Sequence, residues 1–401
     1  MWLLFLFCFC ALHAPAADAA RQPDAPLVVA WANADGLFAW HEDAPDPRQI
    51  AGGSMDQPVL SPDGALVAIV RDASSLWVSD TLGTADRRIV EASVLAGGGE
   101  TRRVNQIIWS ADSSVVYFNT LLGEDISMRP ADDLWRVDVQ SGVVERLLED
   151  GVGGMVTPGP DGTVLALASA GTYQDWPGAI AFYTPATGQR DVTLEFPAVA
   201  TASEWRWHPD LCWKPDGSGV LAAIPPVDLV YGGAGLDTAL WWLPVDGEAA
   251  QIGQTAADFF GLPTFSAEGE WIAYIAQREA LDQTTLTLMI ARVDGSEAMP
   301  YATGAIGALV PAQWLPVGER FVFGQDAPGM LWIGQPGVPP VRFVNEGLPA
   351  SAITWADATT YVFSTFSGET FVLYTGTLDD PASLRQIAEM SAYPLFDAVR
   401  P

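Results

Sequence analysis

Trp213-Lys214-Pro215-Asp216-Gly217, continuing as Ser218-Gly219-Val220-Leu221-Ala222-Ala223-Ile224, is the stretch whose reading decides the fold. An apolar residue ends one strand, Pro-Asp-Gly turns the chain, and an apolar run begins a second strand. Proline presets φ, aspartate bonds its own backbone two residues on, and glycine accepts positive φ. Working outward, the signal recurs as Ser61-Pro62-Asp63-Gly64, Ser110-Ala111-Asp112-Ser113, Gly159-Pro160-Asp161-Gly162, Ser266-Ala267-Glu268-Gly269, Leu315-Pro316-Val317-Gly318 and a degenerate Ala356-Asp357-Ala358. With Lys214 counted among them, the first six starts are separated by 49, 49, 55, 52 and 49 residues. A period of that size belongs to propellers and solenoids.

Each unit carries short runs rich in Val, Ile, Trp, Tyr and Phe bounded by turn residues, which read as strands. Strand a ends at the turn, as at Gln106–Trp109, and strand b follows it, as at Ala65–Val70, Val115–Thr120 and Tyr361–Thr365. Strand c is the most regular: Leu76-Trp77-Val78, Leu134–Val137, Ile180–Tyr183, Leu240–Leu243, Leu286–Ala291, Leu331-Trp332-Ile333 and Phe371–Tyr374. Strand d closes the unit, as at Val144–Leu148 and Ala249–Ile252. Four antiparallel strands per repeat make a propeller blade. The in-register Trp77, Trp135, Trp241 and Trp332 are expected in the core between blades.

The chain ends fit the same scheme. Val28–Trp31, Leu37–Trp40 and Arg48–Ala51 read as strands b, c and d without an a, and Ala392–Phe396 as an a with nothing after it. Leu384–Ile387 serves as the preceding strand d, although Asp380–Glu389 is also the nearest thing to a helical pattern. Pairing of the C-terminal strand with the N-terminal three closes the ring and removes edges that invite aggregation. The expected fold is an all-β propeller of four-stranded antiparallel blades. The count is eight, or seven if either terminal piece is irregular.

Ser61-Pro62-Asp63-Gly64, an apolar strand, Leu76-Trp77 and Asp80 together resemble the TolB-type repeat, also called the WD40-like or PD40 repeat. The resemblance covers most of the chain beyond its first residues and implies blades, not an activity. TolB also has an N-terminal α/β domain, for which this chain has no room, so its role in envelope integrity is not implied.

Trp2–Leu12 is an apolar run of signal-peptide length and Ala17-Asp18-Ala19 a small-x-small cleavage signal, though no Lys or Arg precedes the run. The expected organisation is a signal peptide over 1–19 and one propeller over 20–401, exported to the periplasm or outside. A buried strand is the other reading of the first segment. No later stretch has the uninterrupted apolar length of a membrane span. Only Cys212 lies beyond the leader, so no intrachain disulfide is expected, and its setting suggests a buried thiol.

Acidic residues outnumber basic ones 49 to 19, for a net charge of −30, and removal of Asp18 with the leader leaves −29. Such a surface repels phosphate backbones, so no nucleic-acid partner is expected. It suits cationic partners, or simply solubility.

Catalytic and metal chemistry find little support. There is no Gly-x-Ser-x-Gly elbow of the kind that propeller-bearing serine peptidases carry. Only His41 and His208 remain beyond the leader, too few for an evident triad. His208, Asp210 and Cys212 lack the further ligands of a zinc site. Glu124, Asp125, Asp132 and Asp133 could offer oxygens to calcium, but read first as a solvated acidic loop. No catalytic residue, metal or cofactor is assigned.

Connection length is more informative. The a–b and c–d turns emerge at one end of each blade, the b–c and d–a connections at the other. Most a–b turns are three or four residues, whereas Leu121–Asp132, Gly171–Pro177, Val227–Asp237 and Gln277–Thr284 are long b–c connections and Ala200–Asp210 a long d–a connection. Loops longer than geometry requires are disproportionately functional. Tyr173, Trp176, Trp205, Trp207, His208, Tyr231 and Asp237 therefore form the candidate ligand-binding set. Aromatic rings beside carboxylates stack on sugars or anchor peptides and their basic side chains. The alternative for Trp205 and Trp207 is to seal the gap between blades. The expectation is a non-enzymatic binding propeller for a protein, peptide or glycan. The alternatives are a lyase or glycoside hydrolase using His208 with Glu204 or Asp237, and a structural scaffold. The oligomeric state is not legible.

Overall fold

The recurring turn is built by its own side chains. Ser61 Oγ donates to Asp63 Oδ1 at 2.6 Å and accepts from Leu66 N at 2.9 Å, while the Gly64 amide bonds the Ser61 carbonyl at 2.8 Å. Asp112 and Asp216 repeat this, each accepting from the backbone and hydroxyl of the serine two residues on. The chain therefore reverses at nearly fixed intervals, and the apolar runs between reversals become strands.

The structure is a computed structural model describing residues 25–53, 55–96, 101–123, 129–171, 176–199, 206–225, 238–255, 263–277, 285–305, 308–343 and 348–401. The proposed leader over 1–19 lies outside these residues.

Strands β1 (Val28–Asn33), β2 (Gly36–His41) and β3 (Arg48–Gly52) come first. Then β4 (Asp56–Leu60), β5 (Leu66–Arg71), β6 (Ser75–Asp80) and β7 (Asp86–Val90) make the second blade. After the one-turn helix α1 (Ala92–Leu95), the third blade has β8 (Arg102–Trp109), β9 (Val115–Leu122), a two-residue β10 (Arg129–Pro130), β11 (Leu134–Asp138) and β12 (Val144–Leu148). The fourth is β13 (Met155–Pro158), β14 (Leu165–Ser169), β15 (Gly178–Thr184) and β16 (Gln189–Phe196). The fifth is β17 (Leu211–Trp213), β18 (Gly219–Ile224), β19 (Thr238–Pro244) and β20 (Ala250–Thr255). The sixth is β21 (Thr264–Phe265), β22 (Trp271–Gln277), β23 (Thr285–Arg292) and β24 (Met299–Ala305). The seventh is β25 (Val310–Trp314), β26 (Phe321–Gly324), β27 (Leu331–Gln335) and β28 (Val338–Arg342). The eighth is β29 (Ala350–Trp355), β30 (Thr360–Ser367), β31 (Thr370–Thr377) and β32 (Asp380–Met390). Finally β33 (Leu395–Val399) pairs antiparallel with β1, Val28 opposite Val399, and completes the first blade in the order β3-β2-β1-β33.

Seven sheets of four antiparallel strands and one with the extra β10 define an all-β, eight-bladed propeller. The pairing of terminal strands is as the sequence predicts, but strand a begins at Leu395 rather than Ala392. Pro394 has no N–H for the ladder, so 391–394 serve as the connection. The short pattern at Asp380–Glu389 is strand, not helix.

The chain divides into two units, Gly159–Phe343 in one and residues 25–158 with Val344–Pro401 in the other. In each, burial follows strand position. The b strands are covered on both sides, so β1 and β14 are buried throughout and read as unbroken apolar runs. Most d strands are exposed edges, as in β16. Inner strands of consecutive blades are tied by hydrogen bonds: Trp109 Nε1 donates to the Val59 carbonyl at 2.9 Å, and Gln106 exchanges two bonds with Val156. In the other unit Trp314 Nε1 reaches the Thr264 carbonyl at 3.2 Å, and Thr264 Oγ1 the Ala312 carbonyl at 3.0 Å.

The strand-c tryptophans need correction. Trp77, Trp135 and Trp332 pack on the core from half-buried positions. Arginines cover two of them: Arg71 lies 4.3 Å from the Trp77 ring and Arg146 5.3 Å from that of Trp135. The more deeply buried tryptophans include Trp31, Trp40, Trp109, Trp213 and Trp314. Strand c is second from the open edge, so its large rings reach the rim, where a guanidinium stacks on them. Cys212 is likewise half-buried, not buried, with its Sγ 3.9 Å from the Trp213 carbonyl.

Candidate functional site

The candidate end is clearest on the connections between β14 and β19, within the Gly159–Phe343 unit. The a–b turns there are short, 159–164 and 214–218, while the b–c connections run over 170–177 and 225–237 and the d–a connection over 197–210.

The 170–177 connection is pinched at its base. Gly171 has φ +72°, and a Cβ there would stand 2.4 Å from Gly178 N and 2.6 Å from the Trp176 carbonyl oxygen, so only glycine fits. Below the pinch, the Ala179 amide donates to Ser169 Oγ at 3.1 Å. The returning chain presents Trp176 outward, 67% exposed. Pro177 follows it and holds the preceding backbone extended.

One step further, Gly178 lies opposite Phe196, and a Cβ on Gly178 would meet the Phe196 ring at 2.3 Å. The missing side chain lets that ring lie across the strand pair. Trp207 then packs edge-on against Phe196, with ring centroids 6.2 Å apart and an interplanar angle of 79°. Trp207 is only 8% exposed, so it offers no open face for a ligand. The expectation that it is a surface aromatic is corrected: it is buried against Phe196 and anchors the d–a connection there. His208, next to it, is half-buried.

Trp176, Trp207 and His208 thus all stand on the b–c and d–a connections that leave the β15–β16 pair. Tyr173, Trp205, Tyr231 and Asp237, together with Glu204, lie outside the described residues. An exposed indole offers a stacking face and one N–H donor, suited to a sugar ring or an apolar or cationic side chain.

Sequence reasoning misplaced a second feature, in the other unit. Asp132 and Asp133 are buried, Asp133 completely, rather than part of a solvated acidic loop. Asp133 accepts from Thr120 N at 2.8 Å, Thr120 Oγ1 at 2.7 Å, Trp135 Nε1 at 2.6 Å and Arg102 at 3.0 Å. The Arg102 guanidinium also forks onto both oxygens of Asp150, at 3.0 and 2.8 Å. Burial works to raise the Asp150 pKa, but the hydrogen bond and charge of Arg102, with Arg146, hold it below the ordinary value. The arrangement fastens the base of the third blade's long connections. Glu124 and Asp125 lie outside the described residues. Among the described residues no group of three or more His, Cys, Asp or Glu is arranged to hold a metal ion, and no helix is long and apolar enough to cross a membrane.

Fold and site define the chain as an eight-bladed propeller with one elaborated end. No family model matches the sequence, and no curated protein matches it. Similar solved structures include a prolyl endopeptidase at 13% identity and a TM-score of 0.56, over 86% of this chain and 50% of that one. An oligogalacturonate lyase in complex with manganese is similar at 15% identity and a TM-score of 0.51, over 81% of this chain and 89% of that one. TolB from Acinetobacter baumannii aligns at 13% identity and a TM-score of 0.38, over 92% of this chain and 82% of its own. At such identities the first two show the propeller fold alone. The chain spans half the length of the endopeptidase.

Proposed function

We infer that the protein is an exported, non-enzymatic binding propeller of the TolB-type (PD40) repeat class, which takes a protein, peptide or glycan at the end where its b–c and d–a connections are long. The observation that carries this reading is the one-sided distribution of chain length, with 197–210 and 225–237 at one end and five- or six-residue a–b turns at the other. Trp176, raised on a pinched loop and two-thirds exposed, is its first contact residue. Tryptophan is among the residues most enriched at the energetic centres of interfaces, which makes this exposed indole the natural anchor. Export rests on the leader-like Trp2–Leu12 and Ala17-Asp18-Ala19.

Capture of partners from the native exported fraction tests the reading. Replacing Trp176, Trp205 and Tyr231 together by alanine should abolish capture while leaving thermal unfolding unchanged. Replacing Trp207 should instead lower stability, because it is buried. Undiminished capture by the triple variant would sink the site. A second reading, a polysaccharide lyase or glycoside hydrolase at the same end, has His208 as its described candidate. Turnover of any polysaccharide that is lost in His208→Ala would replace the binding reading.

A further inference from the structure

Strand β33 is held by more than its ladder with β1. Toward the second blade, the Leu60 amide donates to Asp397 Oδ2 at 2.8 Å. Toward the eighth blade, Arg400 Nε donates to Asp357 Oδ2 at 2.6 Å and the Arg400 amide to the Ala356 carbonyl at 3.2 Å. The same guanidinium reaches Glu42 Oε2 at 2.6 Å and the Ala25 carbonyl at 2.8 Å, and Glu42 accepts the Leu27 amide at 3.0 Å. One cation therefore joins the segment entering β1, the connection after β2, and the a–b turn of the eighth blade. Further ties between inner strands in this unit, among them Trp109 to Val59, Gln106 to Val156 and Asn105 to Met155, use groups that do not titrate.

We propose that Arg400, Glu42 and Asp357 form an acid-releasable latch on β33, so that acidification frees this seam before the other blades unfold. Arg385 on β32 donates to the Glu42 and Ala44 carbonyls and stacks over Trp40 at 4.9 Å, so it touches the latch only through backbone. His41 lies with Nε2 3.3 Å from the Thr81 carbonyl, directed to the second blade. Asp43 follows Glu42 and is exposed, and Asp397 on β33 is turned the other way, accepting the Leu60 amide of the second blade.

Both latch carboxyls are held below their ordinary values. For Glu42 the chief cause is the Arg400 hydrogen bond; for Asp357 burial opposes, but bonds from Thr359, Thr360 and Arg400 prevail. Depressed carboxyls stabilise the fold fully above their unfolded values, near pH 4, and that contribution is lost as pH falls through the folded ones. Neutral pH therefore keeps the latch closed, and acidification below the ordinary carboxyl range opens it.

Hydrogen exchange of the full chain tests this, read as protection factors at pH 7 and pH 3. In the wild type, β33 and its β1 partners should lose roughly tenfold or more of their protection at pH 3, while β5 changes by less than about twofold. Arg400→Met should show the loss at β33 already at pH 7, with little further change in acid. The Glu42→Gln, Asp357→Asn pair should do the same, and it serves where Arg400→Met does not fold. Wild-type protection of β33 at pH 7 in a folded variant would overturn the latch. So would β33 protection in the wild type that survives pH 3, or that falls only together with β5.

Discussion

The single residues that decide this fold are those that let the chain reverse. Gly217 has φ +72° and open space around its missing Cβ, with only Pro160 Cδ at 3.9 Å. Gly64 has nearly the same backbone, φ +66°, but a Cβ there would stand 2.8 Å from Pro401 Cγ and 3.3 Å from a Val28 methyl. Gly217→Ala should therefore cost only the left-handed backbone penalty, about 1 to 2 kcal/mol. Gly64→Ala should cost about 1 kcal/mol more, because it also displaces side chains where the terminal strands meet. Urea midpoints for the two variants check this, and equal losses would mean that Pro401 yields freely. The shared turn was legible in the sequence, since Pro, Asp and Gly each have a local reason to be there. The difference between the two glycines was not, because Pro401 approaches Gly64 only through the fold.

At the scale of elements the same division holds. Strands a to d and the pairing of terminal strands could be read because each is a short apolar run at a repeating interval. Trp176 and Trp207 could not be told apart, since both are tryptophans in long connections. Their fates depend on Gly178, whose missing side chain lets Phe196 lie where Trp207 can reach it. The acidic 132–133 pair was misread for a similar reason, its counter-ion Arg102 lying some thirty positions earlier. The Arg102–Asp133 pair is deeply buried, 6% and 0% by side chain, so Asp133→Ala leaves a guanidinium short of its counter-charge. That substitution should cost about 3 to 5 kcal/mol. Removal of the exposed Arg136–Glu145 pair by Arg136→Gln should cost less than about 1 kcal/mol. Denaturant melts of both variants at pH 7 should give that order. The reverse order would show that Asp150 alone satisfies Arg102.

For the whole molecule, the question is what a net charge of −30 does to stability. Mutual repulsion of so many carboxylates opposes the folded state, and acidification relieves it. Against this, many of the aspartates are the turn formers themselves. The Ser110 hydroxyl, then the Ser114 hydroxyl and amide, hold the Asp112 carboxyl below its ordinary value, and Ser141 and Ser296 do the same for Asp138 and Asp294. At Asp80 and Asp216 burial opposes, but donors from Thr84 and Ala85 in one, and from Lys214 and Ser218 in the other, prevail. Each depressed carboxyl stabilises the fold above its unfolded value and ceases to do so as pH drops through the folded one. The local bonds act at contact distance, while repulsion between turns is screened beyond about 8 Å at physiological salt. The local term should therefore win: thermal unfolding at 0.15 M salt should move to lower temperature as pH falls from 5 to 4, although the net negative charge shrinks toward the isoelectric point near 4.1. A melting temperature that rises over that interval would mean that repulsion governs. The aspartates that make this sequence legible as a propeller would then stabilise it less than their charge disturbs it.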